Sequence, residues 1–323
     1  MKHSSHKQLT PMTRRSALVA TAAAAATVAA PHLVFAQATK LRIGSVFADS
    51  YGEPFFANAA GAFAKAGFDL EVNNLANSGA TAAALGGGSL DLGAGDLISG
   101  VNAIIKGVPN LLIAGLGMYD SKEVAIILAV SKDGPIRQPK DLAGKTIGIP
   151  TLVGLTTASL KTWLPLNGVD VSTVKLVEIS QAATVPGLQR GIIDCGLLGE
   201  PFITPNRDLV RDVGHPLDSI AKEFAQSVWY ASKAWVDADP PRARRALNAI
   251  YETAKWCNSH RDETFAILVN EAHFDGEKLK GMVRCPFATT QLTPAQVQPV
   301  LTAGYNAKIF DRLIAANTLI AKI

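Results

Sequence analysis

Nothing in this 323-residue chain has the spacing of a catalytic or metal-binding constellation. No G-x-S-x-G, H-E-x-x-H or Walker-A run is present. His215, His260 and His273 stand alone, without H-x-x-x-H or C-x-x-C neighbours, so no metal and no other cofactor is expected. The chemistry that remains is recognition. Asp49, Glu53, Asp96 and Glu200 offer carboxylates, while Phe47, Tyr51, Phe202, Tyr119 and Trp229 offer rings. Ser78, Gly79, Thr156, Thr157 and Thr184 offer hydroxyls or a close backbone approach near helix starts. Such a set accepts hydrogen bonds from a ligand's N–H or O–H groups and flanks a flat or apolar body, as in an aminopyrimidine or another heterocycle. The six strand-end loops named below contain no lysine or arginine, so an anion there would rely on helix N-termini. Plainer roles exist for two of the acids: Glu53 in a solvated first helical turn, and Glu200 tying down its own loop. Asp96 is the strongest ligand candidate.

A weak internal repeat positions these residues. Lys40-Leu41-Arg42-Ile43-Gly44 opens one strand and Lys145-Thr146-Ile147-Gly148-Ile149 another. Each is followed by G-x-x-D-x-G, at Gly88, Asp91, Gly93 and again at Gly191, Asp194, Gly196. Gly148 follows Gly44 by 104 residues, and Gly191 follows Gly88 by 103. Second strands are expected around Leu70-Glu71-Val72 and Leu176-Val177-Glu178. Two copies of strand–helix–strand–helix–strand imply two doubly wound α/β lobes with parallel pairing. Ligands bind such sheets at the carboxyl ends of the strands. The loops there are 46–55, 76–81 and 94–99 in one lobe, and 150–157, 180–186 and 198–203 in the other. Pro54, Ser78 and Thr156-Thr157 read as helix starts.

Segments 111–123 and 225–233 read as hinge crossovers between the lobes. The expected division is 39–119 for the first part of lobe 1 and 120–228 for lobe 2. Residues 229–323 form the return crossover and C-terminal helices that complete lobe 1. Asp239-Pro240-Pro241 and Thr293-Pro294 start two of those helices.

Residues 1–38 read as a cleaved leader. Arg14-Arg15 precede a weakly hydrophobic stretch, Ala17 to Ala30, and Ala36-Gln37-Ala38 gives an A-x-A site. The arginine pair resembles a Tat signal, an ordinary Sec signal being the alternative. Without Lys2, Lys7, Arg14 and Arg15 the formal net charge of +4 falls to about zero, which excludes a nucleic-acid footprint. The three cysteines, at 195, 257 and 285, make no complete disulfide framework. Cys257 and Cys285 can pair in an oxidising compartment, but three buried thiols are the commoner outcome.

Asp141-Leu142-Ala143-Gly144-Lys145-Thr146-Ile147-Gly148 resembles the second-lobe signature of type II periplasmic binding proteins. Phe55 to Phe63, followed by Gly67-Phe68-Asp69-Leu70, is similar to the sulfonate, nitrate, taurine and thiamine-pyrimidine branch (SsuA/THI5-like). Gly199-Glu200-Pro201-Phe202 resembles it too. The likeness spans roughly residues 40–230. It implies a periplasmic binding protein without catalysis of its own, delivering a small-molecule ligand to the permease and ATPase of an ABC importer. A monomer is expected. Two alternatives stay open: a ligand-presenting partner of a membrane sensor, and an enzyme of thiamine or menaquinone type. The thiamine enzymes carry a cysteine-rich motif that this chain lacks, and the menaquinone enzymes are cytoplasmic. If the leader is cleaved, intact-mass measurement of the exported protein gives a chain beginning near Thr39. Arg14→Lys with Arg15→Lys blocks its export if the route is Tat.

Overall fold

A computed structural model describes residues 38–323, so the expected leader falls outside them apart from Ala38. The first repeat copy runs β1 (Thr39–Ser45), α1 (Glu53–Ala60), α2 (Ala62–Lys65), β2 (Phe68–Asn74), α3 (Ser78–Gly86) and β3 (Leu92–Asp96), followed by α4 (Leu97–Ile105) and β4 (Asn110–Gly115). The chain then crosses through β5 (Met118–Asp120) into β6 (Ile126–Ser131). The second copy runs β7 (Thr146–Ile149), α5 (Leu155–Leu166), β8 (Lys175–Glu178), α6 (Gln181–Gln189), β9 (Cys195–Gly199) and β10 (Val210–Asp212). Strand β11 (Glu223–Ala225) leads back into β12 (Ser227–Ser232). Helices α7 (Lys233–Ala238), α8 (Pro240–Ser259), α9 (Arg261–Ala272) and α10 (Pro294–Asn306) follow.

Two five-stranded sheets result, ordered β2-β1-β3-β12-β4 and β8-β7-β9-β6-β10. Pairing is parallel among the first three strands of each copy. It is not parallel throughout: β12 and β6 run antiparallel to their neighbours. The cause is geometric. Each crossing passes between the carboxyl ends of the parallel strands, so the arriving strand starts there and must run the other way. Ser227 thus pairs with Asp96, and Ile126 with Gly199. The crossings themselves pair as a short antiparallel ribbon, β5 with β11.

The repeated G-x-x-D-x-G has the same three jobs in both lobes. Gly88 (φ +74°) and Gly191 (φ +66°) turn the chain in the left-handed region after their helices, where a side chain would be strained. Asp91 accepts the Arg42 backbone N–H at 2.8 Å, and Asp194 accepts that of Thr146 at 2.8 Å. Each carboxylate thereby fixes its turn against the first strand of its sheet. The last glycine makes room for a helix. A Cβ on Gly93 would meet the Thr81 methyl at 3.0 Å, and one on Gly196 the Thr184 methyl at 2.5 Å.

Apolar faces sandwich both sheets. Leu41, Ile43, Phe56, Phe63 and Ile250 bury α1 and α8 on one face of the first sheet, while Leu97, Val101 and Leu301 bury α4 and α10 on the other. Full burial of each large side chain contributes about 1.5–3 kcal/mol. Helix α8 keeps Ala243, Ala246, Ile250, Ala254 and Cys257 on its buried side, a helical periodicity that docks it on lobe 1. All three cysteines are buried thiols, with Cys257 and Cys285 unpaired.

Arg42 adds two side-chain bonds to Asp91, Nε to Oδ2 at 3.1 Å and Nη2 to Oδ1 at 2.9 Å. Burial pushes the Asp91 carboxyl up, but the Arg42 side-chain and backbone bonds outweigh it and hold the group below its ordinary value. A carboxyl depressed in the folded state adds stability above the unfolded pKa and loses it as pH falls through the folded one. Asp91→Ala therefore lowers stability by about 1–3 kcal/mol at neutral pH in urea titrations. The difference shrinks as the pH drops below about 4. A loss that is the same at about pH 3 as at about pH 7 counts against the ionic account.

Candidate ligand-binding cleft

The strand ends of the two sheets face each other across a cavity of about 420 Å³. The small-residue starts of α3, α5 and α6 all reach its wall, through Asn77-Ser78, Leu155-Thr156 and Ser180-Gln181. Among the described residues, no lysine or arginine lines it, whereas Asp49, Asp96, Glu200 and Glu271 do. Phe47, Tyr51, Phe202 and Phe274 supply aromatic surface, and Asn74, Gln181 and Gln226 supply amides.

Of the eleven ligand-contact candidates, Phe47, Asp49, Ser78, Asp96, Thr156 and Glu200 line the cavity; Gly79, Tyr119, Thr157, Thr184 and Trp229 do not. The five that miss have structural work elsewhere. Helix α3 is capped by Asn77, which accepts the Ala80 N–H at 2.9 Å, so Ser78 and Gly79 belong to its first turn. Thr157 donates to the Thr151 carbonyl at 2.6 Å, shaping the loop before α5, whose N-cap is Gly154. Thr184 packs its methyl on Gly196 and donates to Ser180 O. Tyr119 lies in the crossover ribbon, its ring 4.9 Å from Phe224 and its hydroxyl donating to Asp218. Trp229 is wholly buried in β12, inside the first sheet, and its indole N–H donates to Glu53 at 3.2 Å. Glu53 is accordingly no solvated helix-start acid. It is fully buried, and burial pushes its carboxyl well up despite the Trp229 bond.

The lining acids are not equally free. Asp49 accepts Arg284 Nε at 2.7 Å and the Cys285 N–H at 2.5 Å, so the C-terminal segment neutralises it from behind. Arg284 is fixed in turn by Thr264 Oγ1 and the Arg261 carbonyl. Glu200 accepts the Thr204 hydroxyl and N–H, which ties down its own loop, and burial pushes it up. Asp96 Oδ1 accepts the Ser99 N–H at 2.8 Å, capping α4, and the Leu155 N–H at 3.1 Å from the opposite lobe. Burial pushes its carboxyl up, against the pull of these bonds and of Ser78. Tyr51 is raised by burial and by the nearby Asp96 charge.

Several lining residues lie outside the reach of the sequence reading. Gln226 sits in the return crossing, where its amide donates to Met118 O and to Cys285 Sγ. Phe274 and Glu271 come from the end of α9, and the Phe274 ring meets Phe202 of the other lobe edge-on at 5.5 Å. Asn74 holds the wall of the first lobe by accepting the Phe47 N–H at 3.0 Å. No spacing rule links positions 271 and 274 to loops 70 or more residues upstream. Asn77, directly before Ser78, was available as a helix-cap signal.

Two sheets, antiparallel return strands and a cleft at facing strand ends define a type II periplasmic binding protein fold. Residues 51–264 match the NMT1/THI5-like family, and the chain belongs to it. The alkanesulfonate-binding protein SsuA from Xanthomonas axonopodis pv. citri, solved bound to MOPS, is similar with a TM-score of 0.75 at 16% identity, over 89% of this chain and 100% of that one. The periplasmic nitrate-binding protein NrtA from Synechocystis PCC 6803 is similar with a TM-score of 0.71 at 17% identity, over 87% and 84%. The bicarbonate-binding protein CmpA of Synechococcus sp. is 27% identical over 122 residues, 36% of this chain and 27% of that protein. The matched stretch thus spans about a quarter of that relative's length. These relatives are binding proteins by name.

The Arg284–Asp49 pair is the most exacting contact of the site, because Asp49 is buried and Arg284 is largely covered. Arg284→Ala leaves Asp49 buried beside one N–H and should destabilise the protein by about 3–5 kcal/mol. Denaturant titration measures it; a loss below about 1 kcal/mol would mean the pair is no more than a surface contact.

Proposed function

We propose that this protein is the extracytoplasmic substrate-binding component of an ABC importer, exported through its leader and working with a membrane permease and an ATPase. Its ligand is a small, flat organic molecule carrying N–H or O–H donors, of the aminopyrimidine or related heterocycle class. One observation carries this reading: the cavity presents carboxylates, amides and rings, and no cationic side chain. A volume of about 420 Å³ suits a molecule of that size. Nitrate and sulfonates carry no donor and bicarbonate only one, and the lining acids repel all three. Against that repulsion stand neutral amide and hydroxyl donors and helix N-termini, the latter worth about 0.3–1 kcal/mol each and ~2 at most. The relatives that bind alkanesulfonate, nitrate and bicarbonate support a binding role without catalysis; the lining argues for a different ligand here.

Asp96 contributes on the ligand side, where a donor finds a buried acceptor already held in place. Micromolar affinity is about −8 kcal/mol, and one charge-assisted hydrogen bond is worth roughly 1.5–3. Melting curves of the processed protein with aminopyrimidines, aromatic acids, alkanesulfonates, nitrate and bicarbonate test the class. A donor-bearing heterocycle should raise the melting temperature, and Asp96→Ala should weaken that ligand about ten- to a hundredfold in calorimetry. Stabilisation by nitrate, bicarbonate or a sulfonate alone would overturn the ligand class.

A further inference from the structure

Helix α5 opens on Gly154, which has no side chain to cap it. Its first N–H, that of Leu155, donates across the cleft to Asp96 Oδ1. The same oxygen caps α4 through Ser99 N–H, and the Ser99 hydroxyl donates to the Val153 carbonyl at 3.0 Å. A Cβ at Gly154 would clash with the Thr151 methyl of its own loop at 2.6 Å, and would lie in ordinary contact, 3.4 Å, with Asp96 Oδ2 of the facing lobe. One carboxylate, 4% exposed, is therefore shared by two helix N-termini from different lobes. Unpaired N–H groups and the helix dipole make such a place attractive to anions. Here the protein supplies the anion itself.

We propose that Asp96 is a specificity-determining residue: its carboxylate fills the oxyanion seat between α4 and α5 and so keeps nitrate, bicarbonate and sulfonate groups out of the cleft. The inference rests on the reading of this cavity as the ligand site. A donor-bearing ligand then has the second oxygen of Asp96 and the remaining wall, where Ser180 and Gln181 open α6 beside Asn74 and Gln226. The α6 start is differently made, for Ser180 gives no side-chain cap and Gln181 accepts the Gly199 N–H at 3.0 Å. An incoming oxyanion at α5 would have to displace Asp96 from the Leu155 N–H and lie beside its buried carboxylate, which stays on the Ser99 N–H. A neutral donor-bearing ligand needs no such displacement.

The test uses Asp96→Ser and Asp96→Asn. Serine keeps an N-cap oxygen for the Ser99 N–H but is one atom too short to bridge to Leu155, so it vacates the seat while retaining the cap. Asparagine keeps the reach and can accept both backbone bonds. Wild type and both variants are titrated with nitrate and with methanesulfonate at constant ionic strength, by calorimetry and by melting temperature. The Asp96→Ser protein should bind one of these anions about tenfold or more tighter than wild type. Its melting temperature should rise by a few degrees at a roughly hundredfold excess over the dissociation constant. Asp96→Asn should stay as indifferent as wild type. A well-folded Asp96→Ser protein with no gain overturns the proposal, as does an Asp96→Asn response equal to it, or wild type binding either anion as tightly. Should Asp96→Ser fail to fold, Asp96→Thr offers the same capping oxygen and carries the same expectation. A wild type with no heterocyclic ligand, beside an Asp96→Ser protein that gains an anion, sinks the ligand class and leaves this inference standing.

Discussion

A backbone N–H held by an aspartate carboxylate sets the geometry from which the rest of this molecule follows. Asp91 grips the strand at Arg42, and Asp194 grips the other sheet at Thr146. Each bond joins the turn after a helix to the first strand, so the third strand enters its sheet in one register, with Gly44 opposite Gly93 and Gly148 opposite Gly196. A one-residue slip would turn the sheet-facing glycines away and drive Thr81 or Thr184 into a side chain. With register fixed, the carboxyl ends of both sheets come to the same level, and the helices that follow them start at the cleft. The site is where those six chain ends meet.

A cleft lined by four acids invites the question of why it is stable. Glu271 is exposed; burial raises the cost of charge at the other three, and the structure meets that cost differently at each one. Asp49 is matched by the largely covered guanidinium of Arg284 from the C-terminal segment. Glu200 is satisfied within its own loop by Thr204. Asp96 draws on helix N-termini instead of a side-chain cation. The charges that remain to act on a ligand are therefore fewer than the sequence count suggests. Deeper in the first lobe, Glu53 has one carboxyl oxygen on the Trp229 indole and the other without a partner, a state that favours the protonated form.

Motion between the lobes is confined to few places. The crossings pair only at Met118–Asp120 with Glu223–Ala225. At their mouth Gly117 packs so tightly that a Cβ would sit 2.5 Å from the Ser50 carbonyl. Ser227 links the same point to both Ser50 and Gly117. Across the cleft, opening breaks the Asp96–Leu155 and Ser99–Val153 bonds and parts the Phe202–Phe274 rings. Leu155 and Ala158 of α5 also share one buried apolar cluster with Leu97, Val101 and Leu301 of the first lobe. A ligand touching both walls adds to the closed side by its differential affinity for the two states.

The repeat, the six loops and the placement of Phe47, Asp49, Ser78, Asp96, Thr156 and Glu200 near strand ends were legible in the sequence. Periodicity, caps and glycine punctuation are local signals, and strand-end loops in an α/β unit have only one side on which to gather. The C-terminal helices were legible for the same reason, through Pro240, Pro294 and the apolar face of α8. Other features depend on residues far apart in the chain. Whether a crossing strand adds parallel or antiparallel is decided by which end of the sheet the chain enters, and this put Trp229 in a core instead of in the cleft. Arg284, Phe274 and Glu271 reach the site only because the terminal segment folds back on lobe 1. The sequence by itself determined the two-lobed α/β frame, since local patterning dictates it. Tertiary structure alone decided which acid is paired with a cation and which is held by backbone N–H groups, because electrostatics depends on distance through space and on burial, and neither is encoded in spacing along the chain.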